Sequence, residues 1–106
     1  MPKYLIRASL SPEGIGGVLA EGGTARRQVV QDAIEQLGGS LEAFYFAFGD
    51  DDVVGIADLP DNATAAAFAM EISSSGRVAV STTVLLTPDE LDRSGDKKSG
   101  WRAPGT

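Results

Sequence analysis

Residues 38–59 read Gly38-Gly39-Ser40-Leu41-Glu42-Ala43-Phe44-Tyr45-Phe46-Ala47-Phe48-Gly49-Asp50-Asp51-Asp52-Val53-Val54-Gly55-Ile56-Ala57-Asp58-Leu59. Aromatic and β-branched residues set between glycine and aspartate breaks predict two strands, Ser40 to Phe48 and Val53 to Leu59. Gly49-Asp50-Asp51-Asp52 forms the hairpin loop between them. Alternation places Phe44, Phe46 and Phe48 on one face of the first strand, with Leu41, Ala43, Tyr45 and Ala47 on the other. Neither face is polar.

Working outward, Thr24 to about Leu37 carries Val30, Ala33, Ile34 and Leu37 at helical spacing, with Thr24 as the expected cap and Gly38-Gly39 as the stop. Before it, Ser11-Pro12-Glu13 has the form of a helix start, but Gly14, Gly16 and Gly17 predict a weak helix that ends at Glu21-Gly22-Gly23. Tyr4 to Leu10 is the first strand, with Tyr4, Ile6, Ala8 and Leu10 on one face and Lys3, Leu5, Arg7 and Ser9 on the other. After the hairpin, Asp61 caps a helix striped by Ala65, Phe68, Ala69 and Ile72. Val78 to Leu86 is a fourth strand. Thr87-Pro88-Asp89-Glu90 is a capping box that opens a short helix fading by Lys98. The order β-α-β-β-α-β is the ferredoxin-like α+β arrangement, two helices over one face of a four-stranded antiparallel sheet, plus a C-terminal helix. One domain over residues 1–98 and a tail over 99–106 follow.

An antiparallel sheet with one wet face alternates apolar and polar residues. Here the face turned away from the helices is also largely apolar, and exposing three or four large side chains would sacrifice several kcal/mol at ~25 cal/mol per Å². The expected cover is a second copy of the chain, a homo-oligomer with the dimer as its simplest form. Interface candidates are Phe44, Phe46, Phe48 and Trp101; Trp101 also suits a clip that docks the tail on its own or a neighbouring subunit.

The 106 residues contain no histidine and no cysteine, which removes imidazole and thiolate chemistry, disulfides and the usual zinc sites. No cofactor and no metal site is expected. Nine Lys+Arg against fifteen Asp+Glu give a net charge of −6, which argues against general nucleic-acid binding. No apolar run suits a membrane span or a leader peptide, so a cytoplasmic protein is expected.

The run Gly38 to Gly49 with Asp52-Val53-Val54 resembles the GYD domain family of short bacterial and archaeal proteins. Glu21-Gly22-Gly23-Thr24-Ala25-Arg26-Arg27 and Thr82-Thr83-Val84-Leu85-Leu86-Thr87-Pro88 are similar to further blocks of it, so the resemblance spans about residues 3 to 91. It implies a ferredoxin-like fold of the dimeric α+β barrel type, and it brings no activity with it. The Gly-Tyr-Asp signature stands here as Gly49-Asp50-Asp51-Asp52, with acid in place of the aromatic residue.

Three groups of residues have chemical readings. Arg26 and Arg27 in a helix's first turn, beside free amides, suit an anion, or ion pairs with acids such as Glu21 and Glu42. Arg7, Glu42 and Tyr45 on strands suit a cleft in which Arg7 holds an anion and Tyr45 or Glu42 moves a proton. The alternative is an Arg7–Glu42 structural pair and a packed tyrosine. Asp50-Asp51-Asp52 suits a hard cation, or more simply a turn whose side chains bond nearby amides. Three functions remain: an oligomeric module binding a small anionic ligand in a cleft between sheet and helices; a cofactor-free isomerase, decarboxylase or monooxygenase acting on a small polar substrate; and a structural scaffold.

Overall fold

The structure, a computed structural model, describes residues 1–106. The elements are β1 (Lys3–Leu10), α1 (Pro12–Glu21), α2 (Gly23–Gln36), β2 (Ser40–Phe46), β3 (Val53–Asp58), α3 (Asn62–Ser73), β4 (Val78–Leu85) and α4 (Pro88–Gly95). The four strands form one open antiparallel sheet in the order β2-β3-β1-β4. This is the ferredoxin-like α+β fold expected from the sequence, with the first crossover built from two helices. No helix is long and apolar enough to cross a membrane.

Side-chain chemistry sets most of the helix starts. Ser11 accepts the Gly14 amide at 3.1 Å, Asp61 the Thr64 amide at 2.8 Å, and Thr87 with Glu90 completes both bonds of a capping box. The expected cap at Thr24 is replaced by Gly22, which ends α1 and begins α2 at φ 92°, a left-handed conformation that favours glycine. Nor is α1 interrupted by its glycines. Gly14 is required there, because a Cβ would lie 2.6 Å from the Arg77 carbonyl oxygen, while Gly16 and Gly17 face open space.

β2 departs from the expected strand in two places, each for a local reason. β2 stops at Phe46 because Asp52, opposite Ala47, accepts the Ala47 amide at 2.8 Å but donates its own amide to the Ala8 carbonyl at 2.8 Å, so the pair is not reciprocated and Phe48 is left in solvent. A β-bulge at Glu42 slips the register between Leu41↔Ala57 and Ala43↔Ile56. Leu41 therefore shares the helix-side face with Phe44 and Phe46, not the opposite face as alternation predicts.

The core is small and sits at one end. Tyr4, Ile34, Ala57, Leu59, Ala65 and Phe68 are buried together, and the Tyr4 hydroxyl donates to Asn62 Oδ1 at 2.7 Å. Asp61 is held below its ordinary value of 3.8 by hydrogen bonds from the Thr64 hydroxyl and amide, and Glu90 is lowered by bonds from the Thr87 amide and hydroxyl. A depressed carboxylate contributes stability above its unfolded pKa and loses it as pH falls through the folded one. Asp61→Ala is therefore expected to lower Tm at neutral pH and to converge on the parent melting curve well below pH 3.8. A Tm gap that stays constant across a pH series of thermal melts would show that the charge plays no part in the cap.

Candidate functional site

The helices do not close over the sheet. α2 packs on β2 and α3 on β4, the two outer strands, so the central strands β1 and β3 lie under a gap. The floor of that gap is made of small side chains, Ala8, Val53 and Gly55, flanked by Ile6 and Phe44. The result is a cavity of about 300 Å³ bounded by both layers, with Phe46 and Leu10 towards one end and Ile34 and Phe68 towards the core. Phe44 and Phe46 meet edge to face with centroids 5.3 Å apart, which stiffens its β2 wall.

Of its 20 lining residues 16 are hydrophobic, so the few polar groups define its chemistry. Arg26 comes from the first turns of α2; Glu71 and Ser75 come from the last turn of α3 and just beyond it. Both helix ends lie at the Leu10 end of β1, because α2 runs back from that end and α3 runs towards it; the Ser11 amide to Arg77 carbonyl bond at 2.8 Å ties the same end together. The charged rim is thus at one mouth, and the opposite end is sealed by the core. Arg26 Nη1 lies 3.6 Å from Glu21 Oε2, a loose and partly exposed pair.

The sheet separates the residues singled out from the sequence. Arg26 lines the cavity; Arg27 points along the exposed face of α2, where its Nη1 donates to Gln31 at 3.0 Å. Arg7, Tyr45 and Glu42 lie outside the cleft between sheet and helices. In register, Arg7 stands between Val54 and Ser81 on the opposite face, and Tyr45 pairs with Val54 in the same row. Within the chain Glu42 pairs with Lys3 at 3.3 Å, not with Arg7, and Lys3 also holds Asp58 at 3.0 Å. Lys3 is consequently raised above its ordinary value, chiefly by the Asp58 hydrogen bond. Arg7 makes no ion pair.

Of the interface candidates, Phe44 and Phe46 face the helix side and line the cavity, Phe48 is fully solvent-exposed in the loop, and Trp101 is exposed in the tail. In the aspartate loop the Asp52 carboxylate accepts the Leu10 amide at 2.7 Å, the use the turn reading assigns to such a side chain. A family model described as the GYD domain matches residues 4–94, most of the chain. The chain belongs to the GYD domain family. No curated protein and no solved structure matches it.

The GYD domain match takes in the paired strands and the loop between them, and 12 residues of the chain follow it. A cleft between sheet and helices was expected from the sequence, but apart from Arg26 its lining was not, because that depends on where the helices land. The signal that was available is the run of small residues at the sheet's centre, Ala8 and Gly55 on adjacent strands.

Proposed function

We propose that this GYD domain is a homo-oligomeric binding module whose ligand is a small amphipathic acid. The supporting observation is the cavity: about 300 Å³, apolar within, with Arg26 at its mouth. Its volume falls at the lower end of small-molecule sites, and is about twice that of an apolar protein cavity able to take up benzene. The apolar body of the ligand fills the space over Ala8 and Gly55, and its carboxylate meets Arg26, displacing Glu21. Polar groups in the cavity are limited to Arg26, Glu71 and Ser75, which favours binding over acid–base turnover.

The test is a thermal-shift and calorimetric series with benzoate, hexanoate, octanoate and decanoate. At least one acid is expected to raise Tm, and Arg26→Gln to weaken it roughly 10- to 100-fold, the worth of one charge-assisted hydrogen bond. Glu21→Gln, which frees Arg26, is expected to tighten the same acid. 1-Octanol is expected to bind both variants equally. No shift with any acid, or equal loss of acid and alcohol in Arg26→Gln, removes the reading.

The oligomer half rests on a different observation. Leu5, Ala43, Val54, Ile56 and Leu85 form an apolar centre on the uncovered sheet face, half-buried within a single chain and with nothing above them. Two such faces packed ~10 Å apart would make the barrel-type dimer implied by the family resemblance.

A further inference from the structure

Everything from Leu91 to Thr106 is exposed, and α4 buries none of its residues. The chain is 58 Å long in its greatest dimension with a radius of gyration of 17.0 Å, against about 13 Å for a compact domain of this length. The excess is this arm. It is nonetheless built, not frayed: a full capping box starts it, Arg93 pairs with Asp89, and it carries Leu91 and Trp101 into solvent. Its end is basic. Arg93, Lys97, Lys98 and Arg102 stand against Asp96 alone, so residues 93–106 carry +3 and the rest of the chain −9.

A second patch has the complementary character. At the Leu10 end of the sheet, Ile15, Leu19 and Phe46 line a shallow concavity of about 200 Å³ that Asp52 borders. Leu19 is 80% exposed, and the loop beside it carries the bare Phe48 ring together with Asp50 and Asp51. The arm leaves from Leu85, which pairs with Lys3 at the other end of β1. The eight residues of β1 put roughly 23 Å between the two ends.

We propose that the arm is an intermolecular clasp, with Trp101 seated in the Ile15–Leu19–Phe46 concavity of a second copy and its basic flank against that copy's Asp50-Asp51-Asp52 loop. Three things point to a second copy as occupant: the opposite charges, the opposite ends of one chain, and the area a stable complex needs. A four-stranded face of about 19 × 23 Å offers roughly 900 Å² of flat area over two chains. Specific interfaces commonly bury ~1,200–2,000 Å². An aromatic anchor with its arm supplies the difference. The clasp rests on the sheet-face dimer proposed above and adds to it a contact outside that face, since neither Leu19 nor Trp101 lies on it.

Trp101 is the single tryptophan, so its emission reports the arm alone. In the full chain the emission is expected to be blue-shifted at high protein concentration, and to move to that of an exposed indole on dilution or in 1 M NaCl, where screening shortens to ~3 Å. Leu19→Asp, at an exposed site where folding is insensitive to it, is expected to give exposed-type emission throughout. Adding excess Trp101→Ala chain, which has the concavity but no indole, is expected to restore the blue shift to Leu19→Asp chains.

Exposed-type emission of the parent at every concentration overturns the clasp. So does a blue shift indifferent to dilution, which would mean docking on its own chain, or one indifferent to Leu19→Asp, which would mean a seat other than this concavity. Sedimentation on the same samples separates the two assemblies: a dimer with exposed-type emission ends the clasp and leaves the sheet face standing.

Discussion

Gly39→Ala is expected to cost about 3 kcal/mol or more, among the larger effects of any single methyl group added to a packed position. Gly39 links the end of α2 to the start of β2, and its amide donates to the Ile34 carbonyl at 3.0 Å. A Cβ at this position would overlap the Asp58 carbonyl oxygen and lie 2.9 Å from Leu59 Cδ2. Neither neighbour yields. Asp58 is paired on both sides, with Lys3 and with Ser40, and its carboxylate is bonded to Lys3. Leu59 is fully buried in the core. At about 4–8 °C per kcal/mol for a domain near this size, Tm should fall by roughly 12 °C or more. Gly16→Ala supplies the contrast. It lies inside α1 with nothing within 4 Å of its Cβ position, so alanine there should stabilise by about 0.5–1 kcal/mol. Thermal melts of the two variants decide it; a Gly39→Ala curve within a degree or two of the parent would mean the α2–β2 junction is looser than the packing indicates.

That pair also marks the limit of what sequence pattern conveys. Gly38-Gly39 is legible as a helix stop, but the closeness of the Asp58 carbonyl is not, because it is set by the pairing of β2 with β3. The caps Ser11, Asp61 and Thr87 were readable since each acts through its own side chain. Gly22 was readable as the stop of α1 but not as the start of α2, since a glycine there acts by the conformation it permits and offers no side-chain acceptor to recognise. The bulge at Glu42 was hidden for a related reason: with both faces of β2 apolar, a one-residue slip at Leu41 changes no visible alternation. The strand parity of β1, in contrast, was read correctly. Followed through, it already put Arg7 on the face opposite Ile6 and Ala8, and so outside any cleft under the helices. The sequence reading nevertheless gave Arg7 a role in a cleft bounded by sheet and helices. Arg26 reached the cavity because α2 runs over β2, and no spacing rule supplies that.

Ile56→Glu is expected to convert an oligomer of the 11.0 kDa chain into monomers. Ile56 lies near the middle of the uncovered face, in register with Leu5 on one side and Ala43 on the other, and Thr83 completes the row across Leu5. In one chain the substitution should be mild, because a glutamate there reaches water. In a sheet-on-sheet assembly it buries a carboxylate against apolar side chains, and two-fold symmetry does so twice. Such unpaired burial costs at least ~3 kcal/mol, about two orders of magnitude in dissociation constant. Arg7 makes the prediction sharper. It lies on the same face without an ion-pair partner in its own chain, so an assembly that covers it must bring an acceptor, and Glu42 or Asp58 of the second copy are acids within the same surface. Arg7→Leu is therefore expected to weaken the assembly less than Ile56→Glu and to reduce its salt dependence. Sedimentation velocity across a dilution series reads both variants, with circular dichroism to show that each is folded. A parent chain that runs as a monomer at every concentration removes the oligomer outright. An Ile56→Glu chain that stays assembled moves the interface off the sheet, and the apolar centre formed by Leu5, Val54 and Ile56 would then have to be explained by a partner of another kind.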